Sequence, residues 1–150
     1  MIVKSSKLKM TKQTINYQLL KVKAKKLYSK IGRIPSPALN GEYVAFTNIG
    51  FTHLVRKGRN PRPRNEQKKR FALLPHAEDI IKNPKATIVY RTTETKYWTD
   101  RYGEKILITS TAHFWTFEEK INNRIIKVVI RQLNQGQKHF FSIMSNKKSP

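Results

Sequence analysis

The chain contains no cysteine, which excludes disulfide bonds and cysteine-ligated zinc sites. It also lacks an apolar run of the roughly 18 residues that a membrane-spanning helix requires. The N-terminal stretch MIVKSSKLKM carries charge but no apolar segment or cleavage site, so we do not expect a signal peptide. Carboxylates are scarce as well, with nine Asp and Glu against 31 Lys and Arg.

This imbalance gives the chain a formal net charge of +22. A folded domain this basic needs a polyanionic partner, and nucleic acid is the first candidate. A membrane surface is the second candidate. Since no amphipathic helix combines a lysine-only polar face with a bulky apolar face, we expect no membrane partner. We also expect no cofactor and no bound metal.

The length of 150 residues fits one domain, and 38% hydrophobic residues can supply a core. We expect a polar lead-in over residues 1–10, a single domain over 11–144, and a frayed tail over 145–150.

Hydrophobic spacing predicts a first helix near 12–31, with Gly32 ending it, and a second helical region near 66–82 that Pro75 kinks or splits. GRIPSPALNG between them reads as a loop, EYVAFTN as a strand, and GFTHLVRKG is ambiguous between strand and helical turn. After residue 86 the chain reads as strands separated by turns at RYGEK, KINNR and LNQGQ. The fold class predicted is α+β, with N-terminal helices packed on one face of an antiparallel sheet of four to five strands.

The stretch NIGFTHLVRKGRNPRPR places one histidine ahead of a dense basic run. Its cations are Arg56, Lys57, Arg59, Arg62 and Arg64. Such a run can position a phosphate backbone without reading its sequence. It can also be only a solvated electrostatic arm.

Metal-free cleavage of RNA suits this composition, because RNA carries its own nucleophile in the 2′-hydroxyl. The protein then needs a proton carrier, for which histidine is suited near neutral pH, and cations that stabilise the charge on phosphorus. His53 is the first candidate, with Arg56 and Lys57 three and four residues later. The alternative is a histidine that only packs and caps.

The last strand, KHFFSIM, supplies two further candidate catalytic residues, His139 and Ser142. Strict alternation would place His139, Phe141 and Ile143 on one face, and Lys138, Phe140 and Ser142 on the other. Ser142 either points into a site or bonds the backbone. We expect nucleic-acid contacts from the basic residues outside the catalytic set: Arg59, Arg62, Arg64, Arg70, Arg131 and Lys138. Aromatic residues of the strands could stack bases or belong to the core.

A metal-dependent nuclease is an open alternative. Asp100 lies upstream of Glu118 and Lys120, which gives a loose D…E-x-K pattern. The pattern is short and arises often by chance, and a charged strand end explains it equally. The four histidines show no zinc-binding spacing.

Three segments, GFTHLVRKGR, RFALLPHAEDIIKNP and VVIRQLNQGQKHFFSIM, together resemble the phage and toxin branch of the barnase–EndoU–colicin–RelE-like nuclease superfamily. The resemblance covers Glu42 to Met144. The matching positions are His53 with Arg56 and Lys57, the helix end at Ile81–Pro84, and the last-strand Ser142. The RNPRPR insertion departs from the pattern and changes the spacing after the histidine.

This resemblance implies a toxin-type endoribonuclease, with RNA as substrate and tRNA as one candidate RNA. It also implies an acidic immunity protein or antitoxin as partner, and action in the cytoplasm after delivery as the C-terminal part of a larger secreted or phage protein. The competing class is a non-catalytic nucleic-acid-binding domain.

Overall fold

A computed structural model describes residues 12–147 of the chain. The predicted polar lead-in over 1–10 and the last three residues of the predicted tail lie outside the described residues. Within 12–147 the α-helices are α1 (Lys12–Ile31), α2 (Asn48–Val55), α3 (Arg64–Leu73) and α4 (Ala77–Lys82). The strands are β1 (Arg33–Ser36), β2 (Glu42–Ala45), β3 (Arg56–Lys57), β4 (Asn60–Pro61), β5 (Thr87–Arg101), β6 (Glu104–Ile121), β7 (Arg124–Leu133) and β8 (His139–Lys147).

The first predicted helix is confirmed, and it ends where glycine was expected to end it. Gly32 adopts φ +62°, a left-handed conformation that follows a helix end at little cost only for glycine. The buried face of α1 is formed by Tyr17, Ala24 and Tyr28. Leu27 and Ile31 pack against the core from the same helix, whereas Leu19 is 55% exposed, so the apolar residues of α1 do not all lie on its core face. None of the helices in the described part of the chain is long and apolar enough to cross a membrane.

The second helical region is also confirmed, and Pro75 splits it. A 3₁₀ turn over Leu74–His76 separates α3 from α4, because proline cannot donate the hydrogen bond that would continue α3. The split lets Leu74, Ile80 and Ile81 all reach the core. The ambiguous segment after residue 47 forms the helix α2 and then β3.

The sheet is larger than predicted and is mixed. Its strand order is β1-β2-β8-β7-β6-β5, and every neighbouring pair is antiparallel except β2 and β8. The expectation of a purely antiparallel sheet of four to five strands was therefore wrong. The error began in GRIPSPALNG, which contains β1: Pro35 is tolerated there because β1 is an edge strand, and Ile34 and Ser36 are buried.

The parallel contact between β2 and β8 involves a single pair, Ala45 with His139, and an Ala45 N–H···O bond to Lys138 of 2.9 Å. Beyond that pair, α2 and α3 contact β8. They cover its main chain, where Arg70 donates a 2.9 Å hydrogen bond to the carbonyl of Ile143. These helices therefore cover the part of β8 that β2 leaves unpaired, and they are not confined to one face of the sheet.

β5 and β6 form one long hairpin around the predicted turn at RYGEK. The pairing runs from Thr87 with Glu118 to Arg101 with Glu104. β6 pairs with β7 only from Ala112 onwards. Residues 94–111 therefore extend beyond the rest of the sheet as a two-stranded segment, which we call the ribbon. The predicted turn at KINNR is confirmed, with Asn122 and Asn123 both at positive φ, as a two-residue hairpin turn requires.

The core lies between the sheet and the helices. Its fully buried members from the sheet include Phe117, Val128, Phe140 and Ile143. β8 continues to Lys147, three residues beyond the predicted domain boundary at Met144.

Candidate active site

A β-bulge in β8 decides which side chains meet. The pairing passes from Val129 with Ser142 to Ile130 with Phe140, so Phe141 has no partner in β7. The extra residue turns Phe140 and Ile143 into the core and leaves Phe141 and Ser142 on the same side as His139. The strict alternation predicted for this strand was wrong for that reason.

Phe141 is the centre of the candidate site. Its ring lies 4.2 Å from the ring of His53, measured between centroids, and the guanidinium carbon of Arg131 lies 4.5 Å from its centroid. The His139 ring is 6.5 Å away. This single cluster thus contains at least one residue from each of α2, β7 and β8.

His53 is brought to this cluster by the folding of the basic run. β3 and β4 pair around Gly58, and the N–H of Arg62 bonds the carbonyl of Val55 at 2.8 Å. Arg62 is thereby buried beneath α2, where its Nε donates to the carbonyl of His53 at 2.9 Å. The contact between Arg62 and His53 Nδ1, at 3.5 Å, is too long to fix the tautomer of the ring.

The surroundings of His53 disfavour its charged form. Burial lowers the pKa of His53 to about 4, and the positive charges of Arg62, Arg70 and Arg131 act in the same direction. The imidazole is therefore neutral at pH 7, and its lone pair is a weaker base than that of a free imidazole.

One carboxylate, that of Glu66, forms ion pairs with both Arg62 and Arg70. Glu66 Oε1 lies 2.9 Å from Arg62 Nη1 and 3.3 Å from Arg70 Nη2. Arg70 Nη1 also donates to Ser142 Oγ at 2.7 Å. Arg70 Nε is buried and has no hydrogen-bond partner among the described residues. Arg70 therefore ties α3 to the bulge of β8 and does not point freely into solvent.

Arg131 and His139 form a second fixed pair. Arg131 Nε donates to His139 Nε2 at 3.0 Å, so that nitrogen is an acceptor and the ring proton lies on Nδ1, which is 3.4 Å from the carbonyl of Gln137. Burial, as the main cause, lowers the pKa of His139, and Arg131 adds to the effect. The buried His139 orients the arginine.

An open cleft of 430 Å³ lies at this cluster. It is lined by Asn48, Ile49, Thr52, His53, Arg56, Gly58, Arg131 and Phe141. The titratable groups of its lining are one neutral imidazole and two arginines. A site with this composition suits a phosphodiester, which needs positive charge around the phosphate and a proton acceptor beside it.

The structure brings three of the predicted residues, His53, Arg56 and Arg131, to the cleft. Ser142 and His139 belong to the same cluster, but neither lines the cleft. The side chain of Arg56 also donates to the carbonyl of Arg59. Lys57 and Arg59 are exposed beside it.

Other predicted nucleic-acid contacts have partners within the protein. Arg64 lies 4.7 Å from the ring centroid of Tyr17. Lys138 is buried, with Nζ 2.7 Å from Glu42 Oε2 and 4.8 Å from the ring centroid of Trp115. Arg62 and Arg70 make the fixed contacts with Glu66.

Two residues of the cluster, Glu66 and Phe141, were not predicted from the sequence. Glu66 could have been found, because Arg62, Glu66 and Arg70 are spaced by four residues, the spacing at which helical side chains meet. Phe141 carried no such signal, since its position depends on the bulge.

The alternative metal site is not assembled. Asp100 pairs with Lys105 near the tip of the β5–β6 hairpin, whereas Glu118 pairs with Thr87 at its other end. The span from Lys105 to Glu118 corresponds to about 44 Å at roughly 3.4 Å per residue. Asp100 and Glu118 therefore cannot hold one ion. Among residues 12–147, no group of three or more His, Asp or Glu side chains could do so either.

Comparison of the chain with protein-family models, with curated proteins and with solved structures gave no match. The superfamily resemblance is therefore carried by the three segments and their order alone.

Proposed function

We propose that the protein is a metal-independent endoribonuclease that cleaves RNA at the His53 cleft. The observation that carries this proposal is the neutral imidazole of His53 beside Arg131 and Arg56 in one open cleft. The net charge of +22 supports a polyanionic substrate.

In the proposed reaction, His53 accepts the proton of a 2′-hydroxyl. The 2′-oxygen attacks the adjacent phosphorus and forms the new P–O bond, and the bond from phosphorus to the 5′-oxygen breaks. The 5′-oxygen leaves with a proton from the imidazolium or from water. The products are a 2′,3′-cyclic phosphate and a 5′-hydroxyl.

Arg131 and Arg56 stabilise the negative charge that grows on the phosphoryl oxygens. Their roles differ in rigidity. Arg131 is fixed by His139 and Phe141, whereas Arg56 is exposed in β3 and its side chain donates to the carbonyl of the equally exposed Arg59. A cation fixed before the substrate arrives needs no reorganisation in the transition state, so Arg131 is the main electrostatic catalyst.

Arg62, Arg70, His139 and Ser142 are positioning residues in this proposal. Arg62 holds the carbonyl of His53, and Arg70 holds Ser142 and the bulge that presents Phe141. Lys57 and Arg59 extend the positive surface along the backbone of the RNA.

The toxin role, the acidic immunity partner and delivery by a larger protein follow from the superfamily resemblance, and we carry them forward as part of the same proposal. All three roles presuppose that the His53 cleft cleaves RNA.

Incubation with total RNA in the presence of EDTA tests the proposal first. A metal-free ribonuclease keeps its activity in EDTA, a metal-dependent nuclease loses it, and a binding domain has none under either condition. The products should carry 2′,3′-cyclic phosphate ends, and a 2′-deoxy substitution at the cut site should block cleavage.

The variant His53→Ala separates catalysis from binding. It should fold, bind RNA, and cleave at least about 100-fold more slowly, since removal of a positioned acid or base typically costs about 10²–10⁴ in rate. His76→Ala is the matched control, because His76 lies in the turn between α3 and α4 and is not part of the cleft lining. Full activity of His53→Ala, or equal cleavage of 2′-deoxy substrates, would overturn the mechanism.

A further inference from the structure

The ribbon differs from the rest of the chain in charge. It carries three carboxylates, Glu94, Asp100 and Glu104, and three cations, Lys96, Arg101 and Lys105. Its net charge is therefore zero in a chain of net charge +22. A segment without a charge excess attracts a polyanion less than the basic surfaces of the chain do, and two copies of it repel each other less.

The ribbon also exposes large apolar side chains. Trp98 is 67% exposed, and Tyr97, Tyr102 and Leu107 are exposed as well. A projecting segment with this composition and no charge excess is typical of a surface that associates with protein.

β5 is the terminal strand of the sheet, and no strand among residues 12–147 pairs with its outer edge. Its fifteen residues contain neither proline nor a bulge in the pairing with β6. Long regular edges of this kind are templates for pairing with another strand. Within the described part of the chain, the opposite edge of the ribbon is unpaired only up to Ser110, because Asn134 bonds the main chain of Thr111 and β7 covers β6 beyond that point.

We propose that β5 pairs antiparallel with β5 of a second copy of this chain, so that the two sheets form one continuous sheet. Such a pair of identical strands is related by a two-fold axis perpendicular to the sheet. Directly opposite residues of an antiparallel pair have their side chains on the same side of the sheet, so the axis must pass between one residue and the same residue of the other copy. Only registers centred on a single residue are therefore allowed.

The register centred on Thr95 is the one that the charges favour. It places Glu94 opposite Lys96 of the other copy, and symmetry gives this ion pair twice. The same register places Tyr97 opposite Thr93 and Trp98 opposite Thr92. Pairs of an aromatic with a β-branched residue are among the favourable cross-strand pairs.

Neighbouring registers bring like charges together. A register centred on Glu94 places this carboxylate opposite its own counterpart. A register centred on Lys96 does the same with two ammonium groups and also places Arg91 opposite Arg101. Like charges directly opposite each other destabilise a strand pair, so the edge is complementary to itself in the Thr95 register.

A cysteine scan tests the register directly, because the native chain has no cysteine. In the Thr95 register, the Cα atoms of the two Thr95 residues lie about 4.5–5.5 Å apart. That separation permits a disulfide, which needs a Cα separation of roughly 4.4–6.8 Å. Thr95→Cys should therefore form a covalent dimer under mild oxidation. Thr93→Cys is the matched control: its counterpart lies four residues further along the strand, about 14 Å away.

Charge reversal tests the ion pairs by sedimentation velocity in the absence of nucleic acid. The native chain should show an approach to twice the chain mass with rising concentration. Glu94→Lys should shift the chain to the monomer, and the double variant Glu94→Lys, Lys96→Glu should restore the dimer, because the reversed pair is again complementary.

Cross-linking of the Thr95 and Thr93 variants at equal rates would overturn the register. A native chain that remains monomeric at every concentration would overturn the dimer. A monomer whose ribbon is instead protected by added RNA would show that the ribbon is a nucleic-acid contact.

Discussion

At Gly50, helix propensity and tertiary packing predict opposite effects of an alanine substitution on the stability of the protein. Replacement of glycine by alanine in an exposed helix stabilises a protein by roughly 0.5–1 kcal/mol. Gly50, however, lies inside α2 and against β8. A methyl group there would overlap the carbonyl oxygen of Phe140 and the hydroxyl of Tyr28, and would lie 3.0 Å from Cδ1 of the Phe140 ring.

The size of the effect follows from the atoms that would be in the way. Overpacking of a filled core costs about 1–3 kcal/mol and occasionally more. Since one of the clashing atoms is a main-chain oxygen that cannot rotate aside, we expect Gly50→Ala to cost about 3 kcal/mol. For a chain of 150 residues that corresponds to a decrease in Tm of about 6–12 °C.

Differential scanning calorimetry of Gly50→Ala measures this effect, with denaturant unfolding as the second method. Ala72→Gly on the exposed side of α3 calibrates the helix-propensity contribution alone, which is at most about 1 kcal/mol. Adding Tyr28→Phe to Gly50→Ala removes one of the clashing groups and should recover only part of the stability. An unchanged or raised Tm for Gly50→Ala would refute the packing of α2 on β8, and with it the placement of His53.

Three further outcomes follow from the cluster. The lowered pKa of His53, about 4 against 6.5 for the unfolded chain, means that the fold favours the neutral ring. The resulting stability is present above pH 6.5 and is lost as the pH falls towards 4, so urea unfolding at pH 7 and pH 4.5 should differ less for His53→Gln than for the native chain. Arg70→Ala should lower the stability by about 2–3 kcal/mol, because it leaves the buried acceptors Ser142 Oγ and the Ile143 carbonyl unpaired. Ser142→Ala should lower it less, because Arg70 still donates to the carbonyl of Ile143. Equal losses of stability in thermal unfolding would contradict the contact geometry. The double variant Lys57→Gln, Arg59→Gln should reduce the slope of log affinity for RNA against log salt concentration by about 0.7 for each phosphate that is no longer neutralised. An unchanged slope in filter binding would show that these residues do not contact phosphates.

The parts of the fold that sequence predicted are those with local signals. Gly32 ends α1, Pro75 splits the second helical region, and the two asparagines at 122 and 123 form a hairpin turn. The parts that were not predicted depend on residues far apart in the chain. The parallel pair of Ala45 and His139 is one, and no local pattern in either segment encodes it.

The candidate site likewise contains residues that local sequence signals predicted and contacts that they did not. His53 and the basic run were recognised, because their residue types are clustered in sequence. The burial of two of the predicted cations was not recognised, since it depends on the packing of Arg62 beneath α2 and on the contacts of Lys138 with Glu42 and Trp115. The face of Ser142 was assigned wrongly because a single extra residue in β8 reverses the alternation after it.

The arrangement of the strands has a consequence for the order of folding. From β5 to β8 each strand pairs with the next across a short connection, so this half of the chain can form with little loop-closure entropy. α2, in contrast, must dock on β8 from more than half the chain away. His53 and Arg131 meet only when α2 docks on β8, so a chain that lacks this contact holds no assembled cleft, whatever helices and hairpins it has already formed.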